Sequence, residues 1–140
     1  MTNGVLLAEE KITVPITSDR DIVTARQRGC ALAAQLGYSP TDATLIATAI
    51  SELARNIVLY ANRGEIVMAS SGDGRMPRIV VVARDEGPGI ADVPRAIAGG
   101  YSASGGLGLG LAGVRRLMDE FEISSEPRKG TTVTVKRWKR

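Results

Sequence analysis

Ile12, Val14 and Ile16 alternate with Lys11, Thr13 and Pro15, the two-residue period of a strand with one buried face. Pro15 has no N–H to give a ladder, so this strand is expected at a sheet edge. From Ser18 the period changes. Ser18 with Asp21 three residues on resembles a capping box, and the spacing predicts a helix to Leu36, stopped by Gly37. A second helix is expected from Ser39, with Pro40 at its first position and Asp42 behind it, to about Ala61. At about 100° per residue, Ile46, Ile50, Leu53 and Ile57 form the centre of its apolar stripe.

The second half alternates faster. Ile66 to Ala69 predicts a short strand and Ser71 to Arg75 a turn. Ile79 to Ala83 is apolar throughout, as expected of a central strand covered on at least one side. A helix is predicted from about Leu111 to Phe121, then strands at Glu122 to Ser125 and Thr131 to Lys136. Without repeats or linkers, residues 1–140 are expected to form one domain. Its class is α/β (α+β): a two-layer sandwich of a mixed, mostly antiparallel sheet with helices on one face.

Composition narrows the chemistry. The 140 residues carry a net charge of +3 and no histidine. The isoelectric point near 9.4 owes much to the closing run Lys136-Arg137-Trp138-Lys139-Arg140, so no nucleic-acid partner is expected. Without histidine there is no Ser-His-Asp or Cys-His catalysis, no histidine-based zinc site and no autophosphorylation on histidine. Cys30 stands alone, which excludes a disulfide framework. Val5 to Ala8 is too short for a signal peptide, and no apolar run approaches the roughly 20 residues of a membrane span. A cytoplasmic protein without a membrane partner is expected.

Three segments hold candidate chemistry. Gly108 to Gly113 fits G-x-G-x-x-G, but the residues before it, Tyr101 to Leu107, are loop chemistry rather than a buried strand. About 20 residues on, where a dinucleotide site needs a carboxylate, stand Thr131 and Thr132. An NAD site is therefore not expected. Gly105, Gly106, Gly108 and Gly110 form either a surface loop or a run of backbone N–H groups aimed at phosphate before a helix. Glu52 and Asn56, four apart, stack on one side of their helix beside Leu45, Ala49 and Leu59. A hydrogen bond between the two would account for them. So would a cleft wall in which Asn56 is an oxygen ligand for Mg²⁺ and Glu52 accepts a proton. Asp85, with Gly87 and Gly89 behind it, makes either an ordinary strand-ending turn or an acceptor for an exocyclic amino group such as adenine's.

In this order the segments resemble the nucleotide-binding motifs of the GHKL ATPase superfamily, the Bergerat fold. Glu52 and Asn56 in "ELARNIVLYA" match its N box. Asp85, Gly87, Gly89 and Ile90 in "DEGPGI" match the first glycine box. Gly105, Gly106, Leu107, Gly108, Leu109 and Gly110 in "GGLGLGL" match the second, the ATP lid, and Thr131 in "KGTTVTV" matches the terminal Gly-Thr element. "TAISELARNI", "SASGGLGLGL" and "GVRRLMDEF" are most similar to the RsbT-type serine/threonine switch kinases of the stressosome. The likeness covers about residues 10 to 138, leaving the first ten residues and the basic tail aside.

The resemblance implies ATP and Mg²⁺ as cofactors. It implies Asp85 and Thr131 at the adenine, Asn56 on the metal, lid amides on the γ-phosphate, and Glu52 as base for a partner's serine. Arg55, beside this pair, is a candidate phosphate or partner contact or a solvent-facing side chain. Implied partners are a STAS-domain antagonist as substrate, a stressosome scaffold, and an output protein such as a serine phosphatase. An anti-sigma factor kinase of the same fold and a non-catalytic ATP-gated binding module are the alternatives.

Overall fold

A computed structural model describes residues 11–71, 77–89 and 110–139. The chain runs β1 (Lys11–Ile16), α1 (Asp19–Gln35), α2 (Pro40–Asn56), β2 (Gly64–Ser71), β3 (Arg78–Asp85), α3 (Gly110–Leu117), β4 (Glu120–Glu126) and β5 (Gly130–Trp138). The five strands make one sheet in the order β1-β2-β3-β5-β4. Every neighbouring pair is antiparallel. β1 with Pro15 lies at an edge and β3 at the centre, as their patterns predict.

The strands' period of two places the core. Val14 and Ile16, Ile66 and Met68, Ile79, Val81 and Ala83, and Val133 and Val135 are all buried. They join Ala25, Leu32, Ile46, Ile50, Leu53, Ile57 and Val114 of the helical layer in one cluster. Val80 and Val82, on the other face of β3, are only partly buried. The helices therefore cover one face, and the central strand is sheltered on that side.

Helix ends follow local hydrogen bonding, with departures from expectation. Ser39 caps α2 by accepting from the Asp42 N–H at 3.1 Å, ahead of Pro40. Ser18 makes no side-chain cap for α1. The Asp21 carboxylate instead accepts from the Thr17 N–H at 2.8 Å and the Thr17 hydroxyl at 2.9 Å. These bonds hold the Asp21 carboxyl below its ordinary pKa of 3.8. The helix expected to end near Phe121 stops at Leu117. There Arg137 Nη1 donates to the Leu117 carbonyl at 2.5 Å, and Asp119 N–H already pairs with Lys136 O at 2.9 Å. Sheet pairing thus takes over early, and Phe121 faces Val135 within β4. The other Arg137 nitrogen, Nη2, donates to Asp42 Oδ1 at 2.8 Å, tying β5 to the first turn of α2.

The stretch expected as the end of the second helix, Ile57–Ala61, is a π-helical turn. Asn62 follows with φ 69°, ψ −37°. This wider turn swings the chain from α2 into β2. Among the described residues, no helix is long and apolar enough to cross a membrane.

Candidate functional site

A cavity of about 180 Å³ opens between the end of α2, the end of β3 and the start of β5. Asn56, Asp85, Gly89 and Thr131 reach it together, so the structure unites four of the residues singled out in the sequence. Its remaining wall is largely apolar: Leu53, Ile57, Tyr60, Ala83, Leu111 and Val133. Such a lining suits a flat heteroaromatic ring, with the few polar groups deciding which ring.

The polar groups are placed by the sheet. Asp85 is the last residue of β3 and the register partner of Thr131 on β5. Their side chains therefore share one face. The Asp85 Oδ1 accepts from the Gly87 N–H at 2.9 Å, which fixes the carboxylate in a tight turn. Gly87 itself does not line the cavity. A Cβ there would come 2.5 Å from the Ala61 Cβ, so only glycine lets the turn pack on the π-helical segment. Gly89 adopts φ +82°, and a side chain on it would also run into the Glu126 carbonyl.

Glu52 and Asn56, four apart on α2, meet different surroundings. Glu52 is 7% exposed, and its Oε2 accepts from the Gly110 N–H at 3.2 Å. Gly110 is buried at the start of α3, where helix N–H groups lack partners within the helix and a negative charge is favourable. Asn56 lines the cavity instead. Its Oδ1 is buried and has no hydrogen-bond partner among the described residues. The i, i+4 hydrogen bond that would have explained the two as helix surface is not made. An unpaired buried carbonyl oxygen is costly and is the donor type a hard cation takes. Asn56 therefore fits an oxygen ligand for Mg²⁺. Among the described residues no group of three or more carboxylates, histidines or cysteines could hold a metal, so the phosphates would have to supply further oxygens.

Arg55 is half-buried in the last turn of α2. The candidates Ile90, Gly105, Gly106, Leu107, Gly108 and Leu109 lie outside the described residues. Sequence reasoning missed the apolar wall. Leu53, Asn56, Ile57 and Tyr60 fall at i, i+3, i+4 and i+7, one continuous helix face. Leu53 and Ile57 read as ordinary core, and only their spacing to Asn56 could have marked them.

The chain is similar to known proteins. A family model described as "Histidine kinase-, DNA gyrase B-, and HSP90-like ATPase" matches residues 41–140. Serine/threonine-protein kinase RsbT of Bacillus subtilis is 46% identical over 127 residues, 91% of this chain and 96% of that protein. An anti-sigma F factor of Halalkalibacterium halodurans is 32% identical over 114 residues, 76% of this chain and 77% of that protein. The crystal structure of RsbU and RsbW domains from Mycobacterium tuberculosis aligns with a TM-score of 0.64 at 23% identity. It covers 94% of this chain and 33% of that longer one, a likeness of fold.

Proposed function

The chain belongs to the histidine kinase-, DNA gyrase B- and HSP90-like ATPases and is an RsbT-like serine/threonine kinase of a partner-switching pathway, and from that premise we propose how its residues divide the work. The observation that carries the assignment is the convergence on one apolar cavity of Asp85, Thr131 and the Asn56 oxygen, which has no hydrogen-bond partner among the described residues.

Asp85 accepts a hydrogen bond from the adenine amino group while Gly87 holds the carboxylate still. Thr131 supports the same edge of the base. Asn56 offers Oδ1 to Mg²⁺, which when bound neutralises phosphate charge as the γ-phosphoryl group is transferred. The glycine segment ending at Gly110 supplies backbone N–H groups to the phosphates. Glu52 takes the proton from a serine hydroxyl on the partner as its oxygen attacks the γ-phosphorus. The bond to the β-phosphate oxygen breaks, and ADP leaves. General-base help of this kind contributes about 10²- to 10⁴-fold.

The substrate is a STAS-domain antagonist protein that holds the kinase until it is modified. The wider setting is a cytoplasmic stressosome scaffold, and the freed kinase then engages an output protein such as a serine phosphatase. Residues 1–140 act as one kinase domain. The test is ATP-dependent phosphorylation of a STAS-domain protein encoded beside this one. Phosphoserine on that protein, absent with Glu52→Ala, is expected. ATP binding with no transfer would make the chain a gated binding module instead.

The likeness to anti-sigma F factors supports a second assignment, a kinase that also holds a sigma factor. Inhibition of sigma-dependent transcription in a reconstituted assay would favour it. No effect on RNA polymerase is expected of the switch kinase.

A further inference from the structure

Gly64 is the first residue of β2 and lies outside the N box and the glycine boxes. It is the register partner of Asp85 across β2 and β3, as Thr131 is across β3 and β5. Its φ is outside the left-handed region, so other residues could adopt its backbone. What glycine supplies here is space. A Cβ on it would run into the Arg84 carbonyl oxygen and come 3.0 Å from both the Asp85 Cβ and the Ile57 Cγ2. Asp85 and Ile57 line the cavity, and Gly64 stands behind them.

We propose that Gly64 is a positioning residue for adenine recognition, its missing side chain giving Asp85 the place from which the carboxylate meets the 6-amino group. The proposal rests on the Asp85 contact assigned above and adds to it the residue that sets where Asp85 stands.

Opposite residues of an antiparallel pair usually hold their Cβ atoms about 4.5–5.5 Å apart. At this rung β2 and β3 come closer than two side chains allow. Non-bonded carbons rest about 3.5–4.0 Å apart, so a methyl at position 64 displaces its neighbours. The Arg84 carbonyl is β3 backbone and cannot swing aside like the end of a side chain. Ile57 is held in the core cluster. The strands therefore part at this rung, and Asp85 moves with its strand. Its Oδ1 is tied to the Gly87 N–H, so the carboxylate and its turn shift together.

A recognition group has to be held within about 0.5 Å of its productive place. The sheet is more tolerant, because the register pairs from Glu65 with Arg84 to Ser71 with Arg78 still join the two strands. Glu52 and Asn56 stand on α2, outside this strand pair. The cost of a methyl at Gly64 thus falls on the adenine contact and spares phosphoryl transfer.

The experiment is equilibrium binding, with Mg²⁺ present, of ADP and of purine riboside diphosphate, which has a hydrogen in place of the 6-amino group. The proteins are wild type, Gly64→Ala, Asp85→Asn, the double variant of these two, and Glu65→Ala. Gly64→Ala is expected to weaken ADP roughly tenfold and to leave purine riboside diphosphate at its wild-type affinity. In transfer assays its KM for ATP should rise while kcat stays. The double variant should bind ADP no worse than Asp85→Asn alone, since both changes remove one contact. Glu65→Ala breaks the exposed pair with Arg84 on the next rung without adding bulk, and should keep the wild-type ratio. An equal loss of both nucleotides in Gly64→Ala, which a chain that no longer folds would also give, overturns the proposal. So do additive losses in the double variant, or a ratio in Glu65→Ala that falls as far as in Gly64→Ala. If wild type binds the two nucleotides alike, or Asp85→Asn binds ADP as wild type does, the adenine contact itself is misassigned and the role of Gly64 falls with it. If wild type prefers ADP and Gly64→Ala keeps that preference, only the role of Gly64 falls.

Discussion

The Glu52 carboxylate accepts a hydrogen bond from the Gly110 N–H, joining α2 to the first residue of α3 across 58 positions of sequence. The group assigned as base thus also caps the helix that closes the glycine segment. Glu52→Gln keeps an oxygen for Gly110 and loses the ability to take a proton. Nucleotide binding should survive in this variant, while phosphotransfer at saturating ATP should fall about 10²- to 10⁴-fold. Transfer within a few-fold of wild type would remove Glu52 from the role of base.

Asn56 gives a prediction of opposite sign for stability and function. Its buried Oδ1 lacks a partner among the described residues, and such groups cost about 1–3 kcal/mol. Asn56→Ala should therefore unfold at the same denaturant concentration as wild type or a higher one. The same variant should lose the Mg²⁺-dependent part of its ATP affinity. Lower stability, or an unchanged response to Mg²⁺, would mean that the oxygen serves the fold rather than a metal.

Asp85→Asn separates the turn from the base contact. Asparagine can still accept from the Gly87 N–H through its Oδ1, so the turn should persist. Its amide nitrogen then meets the adenine amino group, donor against donor. ATP affinity should drop roughly 10- to 100-fold, the range for a hydrogen bond to a charged group. Calorimetric titration showing an unchanged constant would place the adenine elsewhere.

Tyr38 sets an alkaline limit on stability. Its hydroxyl donates to the Arg137 carbonyl at 2.5 Å and accepts from the Ile79 N–H at 2.9 Å, bridging two residues that face each other across β3 and β5. Burial pushes its pKa above the ordinary 10.0, against the opposing pull of the Ile79 N–H and Arg137. A phenol with a raised folded-state pKa contributes stability that is fully present below about pH 10 and lost as pH rises through the folded value. Tyr38→Phe should lower stability at neutral pH by roughly 1–3 kcal/mol. It should also flatten the decline above pH 10, and urea unfolding at both pH values would reveal equal slopes if Tyr38 were not the cause.

The motifs were legible because each is a local pattern. Asp85 with its glycines, the Glu52–Asn56 spacing and the Pro15 edge strand depend on neighbours within a few positions. What escaped the sequence depends on contacts between distant segments. The contact between the Ser125 and Thr131 hydroxyls arises only once β4 and β5 are in register, because serine at a strand end has no motif of its own. Phe121 follows Leu117 at helical spacing, yet pairing of Asp119 with β5 decided the matter. Thr17 and Ser18 both lie within reach of Asp21, and the spacing alone does not say that its carboxylate takes both the N–H and the hydroxyl of Thr17. The π-helical turn adds a residue that no periodic template contains.

The sheet is open, and among the described residues nothing pairs with the outer sides of β1 and β4. Bare strand edges invite copies of a chain to stack on one another. β1 answers with Pro15, which withholds a donor, and with Lys11 beside the chain's entry. β4 answers with Glu120, Glu122 and Glu126 on one face, Glu120 paired with Arg78 and Lys136 and Glu126 with Lys129, a charged surface that loses hydration if a second strand docks on it. A protein that must trade one partner for another at working concentrations is thereby protected from self-aggregation, the one association that would remove it from the exchange.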